Sequence, residues 1–92
     1  MPERDRSFVP RLARKARLRF DRHSQSHMIV YPERGLALNE SAAEIAKRCD
    51  GTRSIAEIAA ELAAVANVPA NEIEPDVVAF VEGLAKKGLL EP

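Results

Sequence analysis

The chain has 92 residues, which is enough for one compact domain and too few for two. It carries 14 basic and 14 acidic residues and a single cysteine, so it has no net charge at neutral pH and cannot form an internal disulfide. No apolar run approaches the ~18 residues of a membrane helix and no signal-peptide core is present, so the sequence predicts the cytoplasm as the default location.

The charges divide unequally along the chain. Residues 1–34 contain nine basic and four acidic residues, whereas residues 35–92 contain five and ten. Two interpretations stay open: the two halves attract each other within the fold, or they dock onto a partner of mixed charge. The candidates for contact with a partner are the basic residues just before and within the first strand, namely Arg14, Lys15, Arg17 and Arg19.

The chain begins with a segment rich in charge and proline. Residues 1–15 predict an extended arm that is ordered only where it docks, with Pro10 and Leu12 as anchors. Residues 16–92 then form a single domain.

Three short strands are predicted next. Arg17 to Asp21 alternates strictly, which places Leu18 and Phe20 on a core face, and His27 to Tyr31 forms the second strand. Pro32 to Gly35 predicts a turn that Gly35 leaves with a positive φ.

The third strand is the short segment from Leu36 to Leu38. It follows the turn and lies directly before a helix start, so its backbone is available to an incoming peptide. Leu36, Ala37 and Leu38 are therefore the first candidates for peptide contact.

The first two helices carry start signals. Ser41 with Glu44 and Ser54 with Glu57 both match a capping box. The first helix is predicted to end near Cys49, which has the spacing of a core thiol. The second helix has an apolar face at Ile55, Ile58, Leu62 and Val65.

A third helix is predicted to begin between Asn71 and Pro75 and to stop at Gly88. Leu89 and Leu90 should then fold back on the core. The apolar face of this helix comprises Val77, Phe80, Val81 and Leu84. The order of elements predicts an α+β, winged-helix-like domain: a three-stranded antiparallel sheet followed by three helices.

The residues for catalysis or metal binding are sparse. His23 and His27 flank a polar turn, where their spacing has no helical meaning, and two imidazoles without a third ligand favour surface histidines. The four glycines are dispersed, which excludes a phosphate-binding loop. We expect no catalytic residues, no metal and no cofactor.

A winged-helix order raises the alternative of a small DNA-binding regulator. Either candidate recognition helix is acidic, however: the second carries Glu57 and Glu61, and the third carries four carboxylates. Nucleic-acid affinity depends on a cationic surface, so no nucleic-acid partner is expected. A structural interaction domain with no peptide client is a third interpretation.

Short motifs follow one another along most of the chain: Pro10-x-Leu12, Arg17-Leu18-Arg19 with Asp21, Tyr31-Pro32-Glu33, Leu38-Asn39, Ser41-Ala42, Cys49-Asp50-Gly51, Asp76-Val77 and Gly88-Leu89-Leu90. From Pro10 to Leu90 their order and spacing resemble the PqqD family of pyrroloquinoline quinone (PQQ) biosynthesis, part of a wider group of precursor-peptide recognition domains. The wider group shares much of this pattern, so another peptide-modification pathway is an alternative.

The resemblance implies a non-catalytic peptide chaperone. It would hold a short PqqA-like precursor peptide and present it to a PqqE-like radical S-adenosylmethionine enzyme. The family's binding mode adds the peptide beside the third strand, in a cleft against the third helix. Candidates for the helix wall are Val77, Val78, Val81 and Ala85, with core packing as the alternative for Val77 and Val81. A monomer or a homodimer formed by arm or strand exchange is expected.

Overall fold

Three strands precede three helices in the computed structural model, which describes residues 5–91. The strands pair antiparallel in the order β1-β2-β3, so one long side of β3 is open. This confirms the predicted α+β order. Residues 1–4 of the predicted arm lie outside the described residues. The elements are β1 (Arg17–Asp21), β2 (Ser26–Tyr31), β3 (Arg34–Ala37), α1 (Glu40–Lys47), α2 (Ile55–Ala66) and α3 (Ala70–Lys86).

The register of the sheet separates an inner from an outer face. Leu18 pairs with Ile29 and Ile29 with Leu36, and these three side chains pack toward the helices. Ile29 is fully buried there, in a core cluster completed by α1, α3 and Leu89. Alternate residues point away from the core and form the outer face: Arg17, Arg19, Met28, Val30, Gly35 and Ala37.

The far end of β1 differs from its prediction. Phe20 shares the inner face with Leu18, but 51% of it is exposed, so its prediction as a core residue is wrong. The strand extends past the packed part of the sheet at this end. The Phe20 ring instead contacts His27 edge to face, with the ring centroids 5.1 Å apart.

The turn between β2 and β3 is shorter than predicted. Tyr31 pairs with Arg34, which leaves Pro32 and Glu33 as the connecting residues. Glu33 has the positive φ, 62°, that was expected of Gly35. A Cβ on Gly35 would lie 2.7 Å from the Cε of Met28, so the flexible end of the methionine would have to move.

The N-cap of helix α1 lies two residues before the predicted cap. The side chain of Asn39 accepts a hydrogen bond from the amide of Ala42 at 2.8 Å, so Asn39 is the N-cap and the Ser41 capping box is wrong. Helix α2 has the predicted capping box. Ser54 accepts from the Glu57 amide at 3.1 Å, and the Glu57 carboxylate accepts from the Ser54 amide at 2.7 Å.

The second core cluster joins α1, α2 and α3. Ile55 and Ile58 of α2 are fully buried in it, and Leu62 packs against it. Val65 is 81% exposed, so the predicted apolar face ends one turn early. Cys49 belongs to the same cluster, where burial raises the pKa of its thiol to about 12. The predicted core thiol is confirmed.

Helix α3 also begins earlier than predicted. Pro69 is its N-cap, and Pro75 lies inside the helix rather than in its first turn. A proline at the cap lacks only an amide that the helix would leave unpaired, which favours this start. Gly88 ends the helix with a φ of 71°, as expected, and the Leu89 amide then donates to the Leu84 carbonyl at 2.9 Å.

The N-terminal arm is packed into the domain. Pro10 is fully buried, and Leu12 packs against both core clusters. The Leu12 amide donates to the Cys49 carbonyl at 3.0 Å, and the Ala13 amide donates to the Leu89 carbonyl at 2.7 Å. Both predicted anchors are confirmed, and the arm links the α1–α2 connection to the C-terminal segment. Within the described residues, no helix has the length and apolarity to span a membrane.

Candidate functional site

The open edge of β3 presents backbone groups away from the sheet. The Leu38 amide donates to the His27 carbonyl at 3.0 Å, so Leu38 directs its amide toward β2. Hydrogen-bonded and non-bonded positions alternate in an antiparallel pair. The amide and carbonyl of Leu36 therefore also point toward β2, whereas those of Ala37 point outward. Ala37 is exposed, so an added strand can reach these groups.

A cleft of ≈ 320 Å³ lies between this edge and α3. Its floor is apolar, because Leu38 and Leu84 beneath it belong to the buried core. Phe80 is half-buried and contacts both core clusters. The residues that line the cleft come from β3, the start of α1 and one side of α3: Leu36, Ala37, Leu38, Asn39, Ala42, Ala79, Phe80, Gly83, Leu84 and Lys87.

The cleft contains the three strand residues that the sequence predicts as peptide contacts. Leu36, Ala37 and Leu38 all line it. Leu36 and Leu38 direct their side chains to the inner face, whereas Ala37 contributes its outward backbone. The structure thus brings these residues together with α3.

The residues of α3 that the sequence predicts as the wall of the cleft do not line it. Val77 and Val81 are fully buried in the second core cluster, so the core alternative holds for these two residues. Val78 and Ala85 are half-buried but do not line the cleft between β3 and α3. At ~100° per residue, both lie ~140–160° around the helix axis from Gly83, on the opposite flank.

The residues that form the helix wall were missed by sequence reasoning. Ala79, Gly83 and Lys87 follow one another at intervals of four residues, so they lie within ~80° of each other on α3. The spacing of small residues on this flank was a visible signal. The apolar face alone could not identify the flank, because Val78 and Ala85 offer a similar pattern on the other side.

The electrostatic character of the cleft comes from its last residue on α3. Lys87 is exposed and forms no side-chain ion pair or hydrogen bond within residues 5–91. Asn39, the other polar residue of the lining, is occupied as the N-cap of α1. The cleft is thus mainly apolar, and Lys87 is the charged residue of its lining.

None of the predicted partner-contact residues lines the cleft. Arg14, Lys15, Arg17 and Arg19 are all exposed. Arg17 and Arg19 project from the outer face of the sheet, opposite the core. In the described part of the chain, none of the four has an ion-pair partner. Arg17 and Arg19 are therefore separate from the cleft, whereas the Lys15 ammonium lies beside Gly88, the residue after Lys87.

The arginines beside α2, a candidate recognition helix of the DNA-binding alternative, are engaged in ion pairs. Arg48 and Arg53 both donate to the Glu61 carboxylate, at 3.1 and 2.6 Å, so neither is free for a phosphate. Burial opposes ionisation of Glu61, but these two hydrogen bonds outweigh it and lower its pKa. Among residues 5–91 no three metal-ligating side chains converge.

Similar solved structures share this architecture. The solution NMR structure of the PqqD truncation of Methylobacterium extorquens PqqCD, described as a functional and stand-alone RiPP (ribosomally synthesized and post-translationally modified peptide) recognition element, matches with a TM-score of 0.84 and 36% identity. The match covers 96% of this chain and 94% of that one. A crystal structure of PqqD from Xanthomonas campestris matches with a TM-score of 0.62 and 39% identity, covering 96% and 98%. The fold is thus that of a RiPP recognition element.

Sequence comparisons identify the family within this class. The family model for coenzyme PQQ synthesis protein D (PqqD) matches residues 26–90. A PqqA binding protein of Rhodopseudomonas palustris (strain BisB5) is 46% identical over 88% of this chain and 79% of its own length. One from Xanthomonas oryzae pv. oryzae (strain PXO99A) is 43% identical over 92% of both. The chain belongs to the PqqD family, a non-catalytic family, and the predicted resemblance is confirmed.

Proposed function

We propose that this chain binds a PqqA precursor peptide and acts as the recognition element of PQQ biosynthesis. The peptide adds a strand to β3 and lies in the cleft between β3 and α3. The observation that carries this proposal is the outward backbone of Ala37, which faces the cleft beside the apolar side of α3. The relatives named as PqqA binding proteins support the identity of the peptide.

Strand addition fits the physical character of the cleft. Main-chain hydrogen bonds to Ala37 would supply affinity without regard to sequence. Leu36, Leu38 and Phe80 provide apolar surface against which alternate side chains of the peptide can pack. The binding step therefore needs no catalytic group, and the protein acts by holding an extended peptide.

The proposal is tested by mapping amide chemical shifts of the labelled protein during titration with synthetic PqqA. We expect the largest changes at Leu36 to Leu38 on β3 and at Ala79, Gly83 and Lys87 on α3, because these positions line the cleft. Val78 and Ala85 on the opposite flank should change little. Shifts confined to α2, with β3 and α3 silent, would contradict the assignment.

We also propose that the basic surface contacts the enzyme that receives the peptide, a PqqE-like radical S-adenosylmethionine enzyme. Arg17 and Arg19 point away from the cleft, so a partner could meet them while the peptide stays bound. Arg14 and Lys15 extend the same positive charge along the chain. The peptide and the enzyme would then use different faces of the sheet.

Association with this enzyme should slow as salt rises. Exposed charges are screened beyond a Debye length of ~8 Å at physiological ionic strength, so steering by the arginines fades. Stopped-flow mixing with the purified enzyme at several salt concentrations measures the on-rate. An R17A/R19A variant should be slower at low salt and less dependent on salt. If the on-rate of the unmodified protein does not change with salt concentration, the basic surface does not steer the enzyme and only keeps this face solvated.

The oligomeric state stays a prediction. Between Arg6 and Ala13 the arm is hydrogen-bonded to the α1–α2 connection, to the start of α2 and to the C-terminal segment, so the same bonds could form with a second copy. The open edge of β3 offers another route to exchange. A monomer or a homodimer formed by arm exchange leaves the edge of β3 free for the peptide, whereas a homodimer formed through that edge would compete with the peptide.

A further inference from the structure

Gly83 has no role in the fold that only glycine can fill. It lies inside α3, where glycine is less favourable than alanine by ~0.5–1 kcal/mol, and it does not have a positive φ. A Cβ placed on Gly83 meets no atom within 4 Å, so no neighbour in the described residues requires its absence. The open space lies in the cleft, beside the free edge of β3. The missing side chain therefore leaves space in the cleft that a side chain of the bound peptide could fill.

Lys87 lies one helical turn beyond Gly83 on the same side of α3. Its ammonium group has no partner within residues 5–91, and it is the charged residue of the cleft lining. Four residues of helix span ~6 Å along the axis, whereas alternate residues of an extended strand are ~6.8 Å apart. Two peptide side chains on the same face of an added strand therefore match the positions of Gly83 and Lys87.

We infer that Gly83 and Lys87 set the sequence preference of the cleft, which takes a bulky apolar side chain over Gly83 and an acidic side chain beside Lys87. The two peptide residues are separated by one residue, so the preferred segment contains an apolar and an acidic residue in alternate positions. This inference rests on the proposed function, since it assumes that the peptide lies in the cleft. The charge of Lys87 selects against a basic residue at the same position.

The charge preference is tested with a double-mutant cycle. Labelled PqqA and a set of variants, each with one acidic residue replaced by lysine, are titrated against the unmodified protein and K87E. We expect K87E to weaken PqqA binding roughly five- to ten-fold, from the lost ion pair and the new repulsion. One variant peptide, with lysine two residues from a bulky apolar residue, should regain affinity for K87E. The neighbouring exposed residue Lys86 does not line the cleft, so K86E provides the matched control and should bind PqqA normally.

The steric preference is tested with two substitutions at one position. G83A should fold at least as stably as the unmodified protein, because alanine favours helix and its Cβ meets open space. G83L should also fold, but it fills the cleft and should weaken PqqA binding by roughly ten-fold or more. An A60L substitution on the exposed side of α2 controls for added apolar surface. Thermal melts accompany each titration.

The outcomes separate this inference from the proposed function. If K87E and G83L both bind PqqA as the unmodified protein does, the inference is overturned. The cleft itself is then judged by A37P, which removes a backbone donor of β3 and leaves α3 intact. Loss of binding in A37P alone would retain strand addition and reject the roles of Gly83 and Lys87. Normal binding in all three variants would reject the cleft as well.

Discussion

Replacing Ala37 with proline should abolish most peptide binding while leaving the domain folded. The Ala37 amide points away from β2, so proline removes no hydrogen bond of the sheet. It does remove a donor to the added strand, and its ring obstructs the approach of the peptide backbone. We expect the affinity for PqqA to fall by roughly ten-fold or more, measured by fluorescence anisotropy.

Two companion variants make this result specific. A37V retains the amide and adds a β-branched side chain on the outer face, so it should bind PqqA nearly as well as the unmodified protein. L36P removes an amide that points toward β2 and should lower the melting temperature markedly. Full affinity in a folded A37P variant would refute strand addition at β3. A melting temperature for A37P as low as that of L36P would instead refute the alternation of amide directions.

The strands and helices could be predicted because their signals are local. The alternation of Arg17 to Asp21, the capping box at Ser54 and the stop at Gly88 each depend on a few neighbouring residues, and all three are found in the structure. The anchors Pro10 and Leu12 were also visible, because a charged arm offers few apolar residues. The first residues of α1 and α3 were predicted wrongly. Asn39 and Ser41 are both good caps, and Pro69 and Pro75 both suit a helix start, so neighbouring signals compete.

The side of α3 that faces β3 could not be predicted because it depends on tertiary placement. The apolar spacing of α3 identifies its buried face, and Val77 and Val81 are indeed buried. It does not say which of the two flanks borders the sheet, since both carry small or apolar residues. The position of α3 over the sheet decides between them, and it selects Ala79 and Gly83. The exposure of a side chain near the end of a helix, such as Val65 in α2, also depends on tertiary placement, because it is set by where the neighbouring helices and strands end.

Phe80 connects the stability of the domain with its cleft. Its ring packs against both core clusters, one beneath the sheet and one between α2 and α3, and it also lines the cleft. Truncating a fully buried phenylalanine to alanine costs ~3–5 kcal/mol. Phe80 is half-buried, so we expect F80A to lower the free energy of unfolding by about 2–3 kcal/mol, measured by urea denaturation.

The leucine substitution separates the two roles of Phe80. F80L keeps much of the buried volume, so it should recover most of the stability that F80A loses. Leucine lacks the flat aromatic surface that lines the cleft, and the affinity of F80L for PqqA should therefore stay below that of the unmodified protein. An F80A variant as stable as the unmodified protein would mean that the ring does not link the two clusters. Full recovery of both properties in F80L would assign Phe80 to packing alone, and peptide contact on α3 would then depend on Ala79, Gly83 and Lys87.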